Sequence, residues 1–134
     1  MSTTKLSSCD DDGLSTCPCS GGTLERLVQP AILAVLAEGP VHGYRLVDRL
    51  GAMAAFAGHK PDASGVYRLL KAMEGRELVL FSWDASQTGP VKRTCTITPK
   101  GRRCLGHWVQ TLEEYRSRIT SLLKAARNAA KQVD

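Results

Sequence analysis

The sequence predicts a mainly helical fold that contains one β-hairpin and ends in a long C-terminal helix. Three observations support this: short segments with apolar residues at helical spacing, two β-rich segments between residues 78 and 97, and an apolar repeat that runs to the C-terminus. The chain has 134 residues, of which 43% are hydrophobic, and a net charge of +5. This length supports one core, and the composition is that of a globular protein.

The apolar stretches are too short for a membrane protein. The longest uncharged apolar stretch, residues 27–37, is interrupted by Gln29 and Pro30, whereas a membrane span needs roughly 20 residues. The first residues lack the apolar segment of a secretory signal. We therefore expect a cytoplasmic protein with no membrane partner.

Two short helices are predicted in the first half of the chain. The first follows Thr23 as its N-cap, has Pro30 inside its pattern, and ends at residues 38–40. The second opens at residues 42–44. Its expected buried side chains are Tyr44, Leu46, Val47 and Leu50.

The third helix has two different faces. Asp62 or Ser64 is the expected N-cap. At about 100° per residue, an apolar set gathers on one side and a small and basic set on the other. The apolar set is Val66, Leu69, Leu70 and Met73, and the outward set is Ser64, Arg68, Lys71 and Gly75.

A hairpin and a long helix follow. Residues 78–83 and 91–97 are rich in β-forming residues and flank a polar loop, and the return strand carries Lys92 and Arg93. Thr98, followed by proline, is the expected N-cap of the last helix. Apolar residues then advance by alternate steps of three and four, which is typical of a helix that pairs with another helix. They are Leu105, Trp108, Leu112, Tyr115, Ile119, Leu122 and Ala126.

The positive charge is concentrated next to these elements. Residues 60–103 carry nine Lys and Arg side chains against four Asp and Glu, so this segment alone has a balance of +5. Such a segment favours a polyanionic partner, although a solvated basic surface explains the charge alone equally well.

The order of the elements indicates a winged helix-turn-helix. We expect an arm at residues 1–22, a winged helix-turn-helix domain at 23–98 and a dimerisation helix at 99–134. In this fold the third helix reads the major groove of double-stranded DNA and the hairpin lies beside it. A two-fold dimer would then bind a palindromic operator. The alternative is a winged helix that binds another protein through its basic face. The sequence shows no nucleophile–base grouping and no phosphate-binding loop, so we do not expect an enzyme.

Four segments resemble PadR-type transcriptional regulators, specifically the smaller class with a single C-terminal dimerisation helix. They are Gln-Pro-Ala-Ile-Leu-Ala-Val-Leu (29–36), Gly-Pro-Val-His-Gly-Tyr-Arg-Leu (39–46), Gly-Val-Tyr-Arg-Leu-Leu-Lys-Ala-Met-Glu (65–74) and Lys-Arg-Thr-Cys-Thr-Ile-Thr-Pro-Lys-Gly (92–101). The resemblance covers about residues 24–130. It implies a homodimeric regulator, usually a repressor, that a small effector releases from DNA.

The expected DNA contacts combine this resemblance with the helix faces. The resemblance places Tyr67 at the DNA-facing start of the third helix, near a phosphate. The other contacts expected from that helix are Ser64, Arg68 and Lys71, and those from the wing are Lys92 and Arg93.

Three cysteines lie on the arm. Cys9, Cys17 and Cys19 could bind a metal ion or an iron–sulfur cluster, or could oxidise reversibly. Their spacing differs from that of zinc knuckles, and an arm with incidental cysteines is the alternative. Cys95 is expected to face inward from its strand, and Cys104 to be an inert packed thiol.

The tryptophans offer a second site for a signal. Trp108 falls on the expected dimer seam, and Trp83 ends the first wing strand. If the seam is splayed, paired Trp108 rings could line an apolar pocket for a small aromatic effector. Hydrophobic packing is the alternative for both side chains.

Overall fold

The computed structural model describes residues 25–57, 60–84 and 92–132. In these ranges the chain is mainly helical, with a small antiparallel sheet and a long last helix, so the predicted fold class is confirmed. In chain order the elements are α1 (Val28–Ala37), β1 (Val41–His42), α2 (Gly43–Ala52), α3 (Ala63–Gly75), β2 (Val79–Asp84), β3 (Lys92–Ile97) and α4 (Pro99–Lys131).

Helix α1 begins at Val28, after a 3-10 turn over Glu25–Leu27. Pro30 is therefore the third residue of the helix. Proline at this position costs no hydrogen bond, because the first four N–H groups of a helix have no partner within it. The expected N-cap, Thr23, lies outside the described residues.

Strand β1 has only two residues and is not predicted from the sequence. It pairs with β3 in an antiparallel register that places Val41 opposite Cys95 and His42 opposite Thr94. The sheet has the order β1-β3-β2. Two residues are too few to show an alternating pattern, so β1 depends on its pairing with β3 and has no sequence signal of its own.

Helix α2 buries Leu46, Val47 and Leu50 as predicted, but Tyr44 is 51% exposed. The expectation that Tyr44 lies in the core is therefore wrong. At about 100° per residue, its position is roughly 110° from the centre of the buried group, so it lies on the flank of the helix.

Helix α3 is capped by Asp62, whose carboxylate accepts a hydrogen bond of 3.0 Å from the backbone N–H of Gly65. The structure thus selects Asp62 from the two expected caps. Val66, Leu70 and Met73 are buried, as predicted from the spacing, and hold the inner face of α3 in the core.

The C-terminus of α3 is closed by a Schellman motif. The N–H of Leu78 donates to the carbonyl of Met73, and the N–H of Glu77 donates to that of Glu74, both at 2.9 Å. Glu77 occupies the left-handed position, with a φ of 65°. Met73 and Leu78 are both buried, so the apolar pair that accompanies this motif belongs to the core.

Strands β2 and β3 form the wing. Their register places Val79 opposite Ile97, Phe81 opposite Cys95 and Trp83 opposite Arg93, all on one face of the hairpin. The base of this face is buried at Val79, Cys95 and Ile97. The burial of Cys95 confirms its predicted inward orientation.

Helix α4 begins at the N-cap Thr98, whose hydroxyl accepts a 2.9 Å hydrogen bond from the N–H of Gly101. The same hydroxyl donates to the carbonyl of Glu77 at 2.7 Å or of Leu78 at 3.1 Å. Gly101 is the buried residue of α4, because the helix touches the base of the wing there. Most of α4 beyond residue 112 is exposed.

The core lies between the three short helices and the base of the wing. Half-buried side chains of α4, Leu105 and Trp108 among them, pack against it. The largest fully buried side chains are Ile32, Leu33, Leu36, Leu46, Leu50, Val66, Leu70, Met73, Val79 and Cys95.

The close contact at Gly101 gives a paired prediction. A Cβ at Gly101 would overlap the carbonyl oxygen of Leu78 and lie 2.8 Å from Cγ1 of Ile97, whereas a Cβ at Gly106 meets nothing within 4 Å among the described residues. We expect Gly101→Ala to lower the free energy of unfolding by about 1–3 kcal/mol through overpacking. Gly106→Ala should raise it by about 1 kcal/mol through helix propensity.

Denaturant unfolding at one matched protein concentration measures both changes. Because the two substitutions add the same methyl group to the same helix, opposite changes in the free energy of unfolding would isolate the effect of the contact with the wing. An equal or higher stability of Gly101→Ala would show that α4 does not approach the wing this closely.

Candidate nucleic-acid interface

The outer face of α3 is exposed. Ser64, Arg68 and Lys71 lie on it, and Tyr67 lies on its flank with 42% of its surface exposed. The structure therefore places the four expected α3 contacts on accessible parts of one helix. Their contact with DNA stays a prediction.

Tyr67 is held by the start of α2. A Cβ at Gly43 would lie 3.3 Å from Cε1 of the Tyr67 ring, so the ring packs directly on the glycine backbone. Gly43 is buried, and its missing side chain lets the start of α2 approach α3. The sequence places Gly43 next to the predicted start of a helix but gives no signal that a tyrosine two dozen residues later would pack on it.

His42 and Tyr44 lie beside this contact. Their rings stack with centroids 5.7 Å apart and an interplanar angle of 10°. Nδ1 of His42 also lies 3.4 Å from the hydroxyl of Thr94 on β3. The stack with His42 thus orients the exposed Tyr44 ring on the flank of α2. His42 is in turn linked to the wing through Thr94.

Of the two expected wing contacts, Lys92 and Arg93, the structure describes the side chain of Arg93. Lys92 begins β3, and its side chain is not among those described. Arg93 is exposed, and the central carbon of its guanidinium lies 4.0 Å from the ring centroid of Phe81 and 5.2 Å from that of Trp83. These distances are those of cation–π contacts. The sequence analysis missed Phe81, since its role depends on the strand register.

Two exposed basic side chains near α2 have carboxylate partners, although Arg45 of α2 has none within the described residues. Arg49 pairs with Glu38 at 2.6 Å, and Lys60 pairs with Asp48 at 3.5 Å. In contrast, no carboxylate of the described side chains lies within the 4.0 Å ion-pair distance of Arg68 or Lys71. The outer face of α3 therefore presents two cations whose charges are available to an anionic partner.

The described cysteines are packed. Burial raises the pKa of Cys95 from 9.0 to about 12, an increase that the positive charge of Arg93 partly opposes. Cys104 is half-buried, and Nε2 of Gln29 donates a weak 3.8 Å hydrogen bond to its sulfur. Residues 1–24, which include Cys9, Cys17 and Cys19, lie outside the described residues. In the part described, no group of three His, Cys, Asp or Glu side chains could hold a metal ion.

The tryptophans lie in different surroundings. Trp83 is 63% exposed on the wing, and Trp108 is half-buried against the core of its own chain. One side of Trp108 is therefore used for packing within the chain. The effector pocket needs rings from two copies and stays a prediction.

A helix with an outward basic face, set between a short helix and a β-hairpin, defines a winged helix-turn-helix domain. The model of the transcriptional regulator PadR-like family matches residues 32–107, which span α1 to the first turns of α4. The chain belongs to this family. Its members are transcriptional regulators and not enzymes, in agreement with the sequence analysis.

Solved structures show the same fold. A protein from Thermoplasma acidophilum assigned as a transcriptional regulator is 30% identical, with a TM-score of 0.65 over 75% of this chain and 94% of that one. A PadR-like regulator from Bacillus cereus is 25% identical, with a TM-score of 0.63 over the same shares. PadR of Bacillus subtilis, solved in complex with operator DNA, is 24% identical, with a TM-score of 0.56 over 63% and 46%.

No protein with a curated description matches the chain. Among the described helices, none is both long and apolar enough to cross a membrane.

The raised pKa of Cys95 predicts an unreactive thiol. Because the thiolate is the nucleophile, Cys95 should resist alkylation by iodoacetamide in the native protein at pH 7–8.5, and denaturant should abolish this protection. Peptide mass analysis measures the extent at each cysteine, with the half-buried Cys104 as an internal control. Alkylation of native Cys95 as fast as that of Cys104 would contradict the prediction.

The same pKa shift has a consequence for stability. Since the folded state keeps the thiol protonated above the unfolded pKa of 9.0, unfolding releases a proton there. The Cys95 contribution to stability is complete below pH 9 and is lost progressively as the pH rises toward 12.

Proposed function

We propose that the protein is a homodimeric, sequence-specific DNA-binding regulator that acts as a repressor. The observation that carries this proposal is the outer face of α3, where Arg68 and Lys71 are exposed and unmatched by described carboxylates while the wing lies beside it. Arg and Lys at these positions can reach guanine edges or phosphates in the major groove. Ser64 and Tyr67 supply hydroxyl groups for phosphate contacts.

Family membership supports the same function. The matched family is one of transcriptional regulators, and its Bacillus subtilis member was solved on operator DNA. A module that binds another protein through the basic face would also use Arg68 and Lys71. The two functions differ in their salt dependence, because only binding to a duplex releases many condensed counterions.

The second half of α4 supports the dimer. From its middle onward the helix exposes the large apolar side chains Tyr115, Ile119, Leu122 and Leu123, and Val109 is exposed in its first half. The helix has 33 residues and is therefore about 50 Å long, and the three short helices cannot cover it. A second copy of α4 supplies a matching apolar stripe. The two-fold axis then sets two α3 helices on one duplex, which favours a palindromic operator.

The release signal is a small aromatic effector at the dimer interface near Trp108, or a metal or redox signal at Cys9, Cys17 and Cys19. Either signal would have to favour a dimer whose α3 spacing no longer fits the operator. Metal analysis of protein purified without oxygen tests the metal signal, because metal-free protein with unchanged DNA affinity after Cys17→Ser and Cys19→Ser would exclude ligation.

The α3 assignment predicts the behaviour of a double variant. On a palindromic duplex selected from random sequences, Arg68→Ala with Lys71→Ala should weaken binding by roughly 30-fold or more, since each contact is worth about 1–3 kcal/mol. The dependence of log K on log salt should also become shallower. Fluorescence anisotropy between about 50 and 200 mM salt measures both quantities.

The matched control is Lys124→Ala with Lys131→Ala. It removes the same net charge from exposed positions at the far end of α4, and it should leave both quantities nearly unchanged. If the α3 double variant binds like the wild type, α3 does not read the groove.

The dimer assignment predicts that charge on the apolar stripe separates the subunits. Ile119→Asp with Leu122→Asp should shift the mass measured by light scattering from dimer to monomer and weaken operator binding, since two buried carboxylates would lose hydration without a partner. Ser117→Asp lies on the opposite side of the same helix and should remain dimeric. A dimer that persists in the double variant would place the interface elsewhere.

A further inference from the structure

The wing carries an arginine on the face of the hairpin that is otherwise apolar. Along β3, the side chains on this face are Ile97, Cys95 and Arg93, and the first two are buried while Arg93 is exposed. Along β2, Val79 is buried, Phe81 is half-buried and Trp83 is exposed. The core thus ends between the second and third positions, and beyond it the described side chains of this face are an arginine and an indole.

The two rings hold the guanidinium in place. Trp83 is directly opposite Arg93 in the register, and Phe81 is the next side chain on the same face of β2. The guanidinium carbon is close to both ring centroids, at 4.0 Å from Phe81 and 5.2 Å from Trp83. Phe81 is itself packed against the core, so the contact ties Arg93 to a fixed part of the fold.

The contact with the rings leaves the N–H donors of the guanidinium available. A cation–π contact uses the positive charge of a guanidinium and does not require any of its N–H groups as hydrogen-bond donors. Within the described residues, Arg93 has neither a hydrogen bond nor an ion pair through those groups. The rings restrict the orientation of a long side chain without using any of its donors.

We propose that Phe81 and Trp83 are positioning residues that hold Arg93 ready for a phosphate of the DNA backbone. This inference rests on the proposed DNA-binding function and assigns the wing aromatics a part in it. A free arginine loses side-chain entropy when it binds, whereas one already held by the rings has lost part of it, so the phosphate contact costs less. The rings act through Arg93 and do not themselves contact the DNA.

A double-mutant cycle tests the proposal with the full-length protein and a selected operator duplex. Arg93→Gln should weaken binding and reduce the salt slope by about one, because one phosphate contact is lost. Trp83→Leu should weaken binding about two- to fivefold with the salt slope retained, because the arginine still binds but from a freer state. In the Arg93→Gln background, Trp83→Leu should have no further effect.

Two further variants distinguish positioning from general effects on the wing. Trp83→Phe keeps an aromatic face and should retain affinity close to that of the wild type. Leu80 lies on the other face of β2 from Trp83 and is 58% exposed. Leu80→Ala removes this apolar side chain and should leave both the affinity and the salt slope unchanged. Thermal unfolding of every variant at one concentration monitors the fold.

The outcomes separate this role from the proposed function. Equal weakening by Trp83→Leu in both backgrounds would show that the indole contacts DNA itself and would overturn the positioning role. Loss of stability in Arg93→Gln with unchanged affinity would show that the arginine only covers the apolar face, which also overturns it. A wild-type protein that binds no selected duplex even at 50 mM salt would overturn the DNA-binding function, and this role with it.

Discussion

The architecture depends on the contact between Leu78 and the first turn of α4. The backbone of Leu78 donates to Met73 at the end of α3 and accepts from the N–H of Thr98 at 3.1 Å. Its carbonyl also lies against the Cα of Gly101, where no side chain fits. Three elements therefore meet at one residue: the end of α3, the base of the wing and the start of α4. Because these contacts are made by backbone atoms, they restrict how the three elements can move relative to one another.

This junction determines how the proposed dimer would present its DNA-binding surfaces. The apolar stripe of α4 lies toward its C-terminal end, and the outer face of α3 lies on the other side of the junction. In such a dimer the junction would transmit the geometry of the α4 pair to the spacing of the two α3 helices, which would have to match one turn of the duplex, or a multiple of it. A ligand or a chemical change at the dimer interface could then alter DNA affinity without contacting DNA.

The sequence predicts the parts of the fold that depend on local signals. The faces of α3, the Thr98 cap and the inward orientation of Cys95 each follow from residues a few positions apart, and the structure agrees with them. The omission of strand β1 concerns a contact between residues distant in sequence, because β1 exists only through its pairing with β3. The error at Tyr44 is local, since its exposure follows from its angle on α2.

The same distinction between local signals and long-range contacts applies to the residues of the candidate site. The exposure of Arg68 and Lys71 was predictable from helical period alone. The packing of Tyr67 on Gly43 and the contact of Arg93 with Phe81 were not, because they depend on how α2 meets α3 and on the strand register.

Ion pairs distinguish Arg49 and Lys60 from the exposed cations of α3 and the wing. Arg49 and Lys60 are also exposed, yet each has a carboxylate partner in the protein. An isolated surface ion pair contributes little to stability, so the pairs at α2 do not hold the fold together. Their effect is to reduce the local positive potential there. Within the described residues, Arg68, Lys71 and Arg93 have no carboxylate partner, so their charges add to the positive potential on the side of α3 and the wing, which favours the approach of a polyanion there.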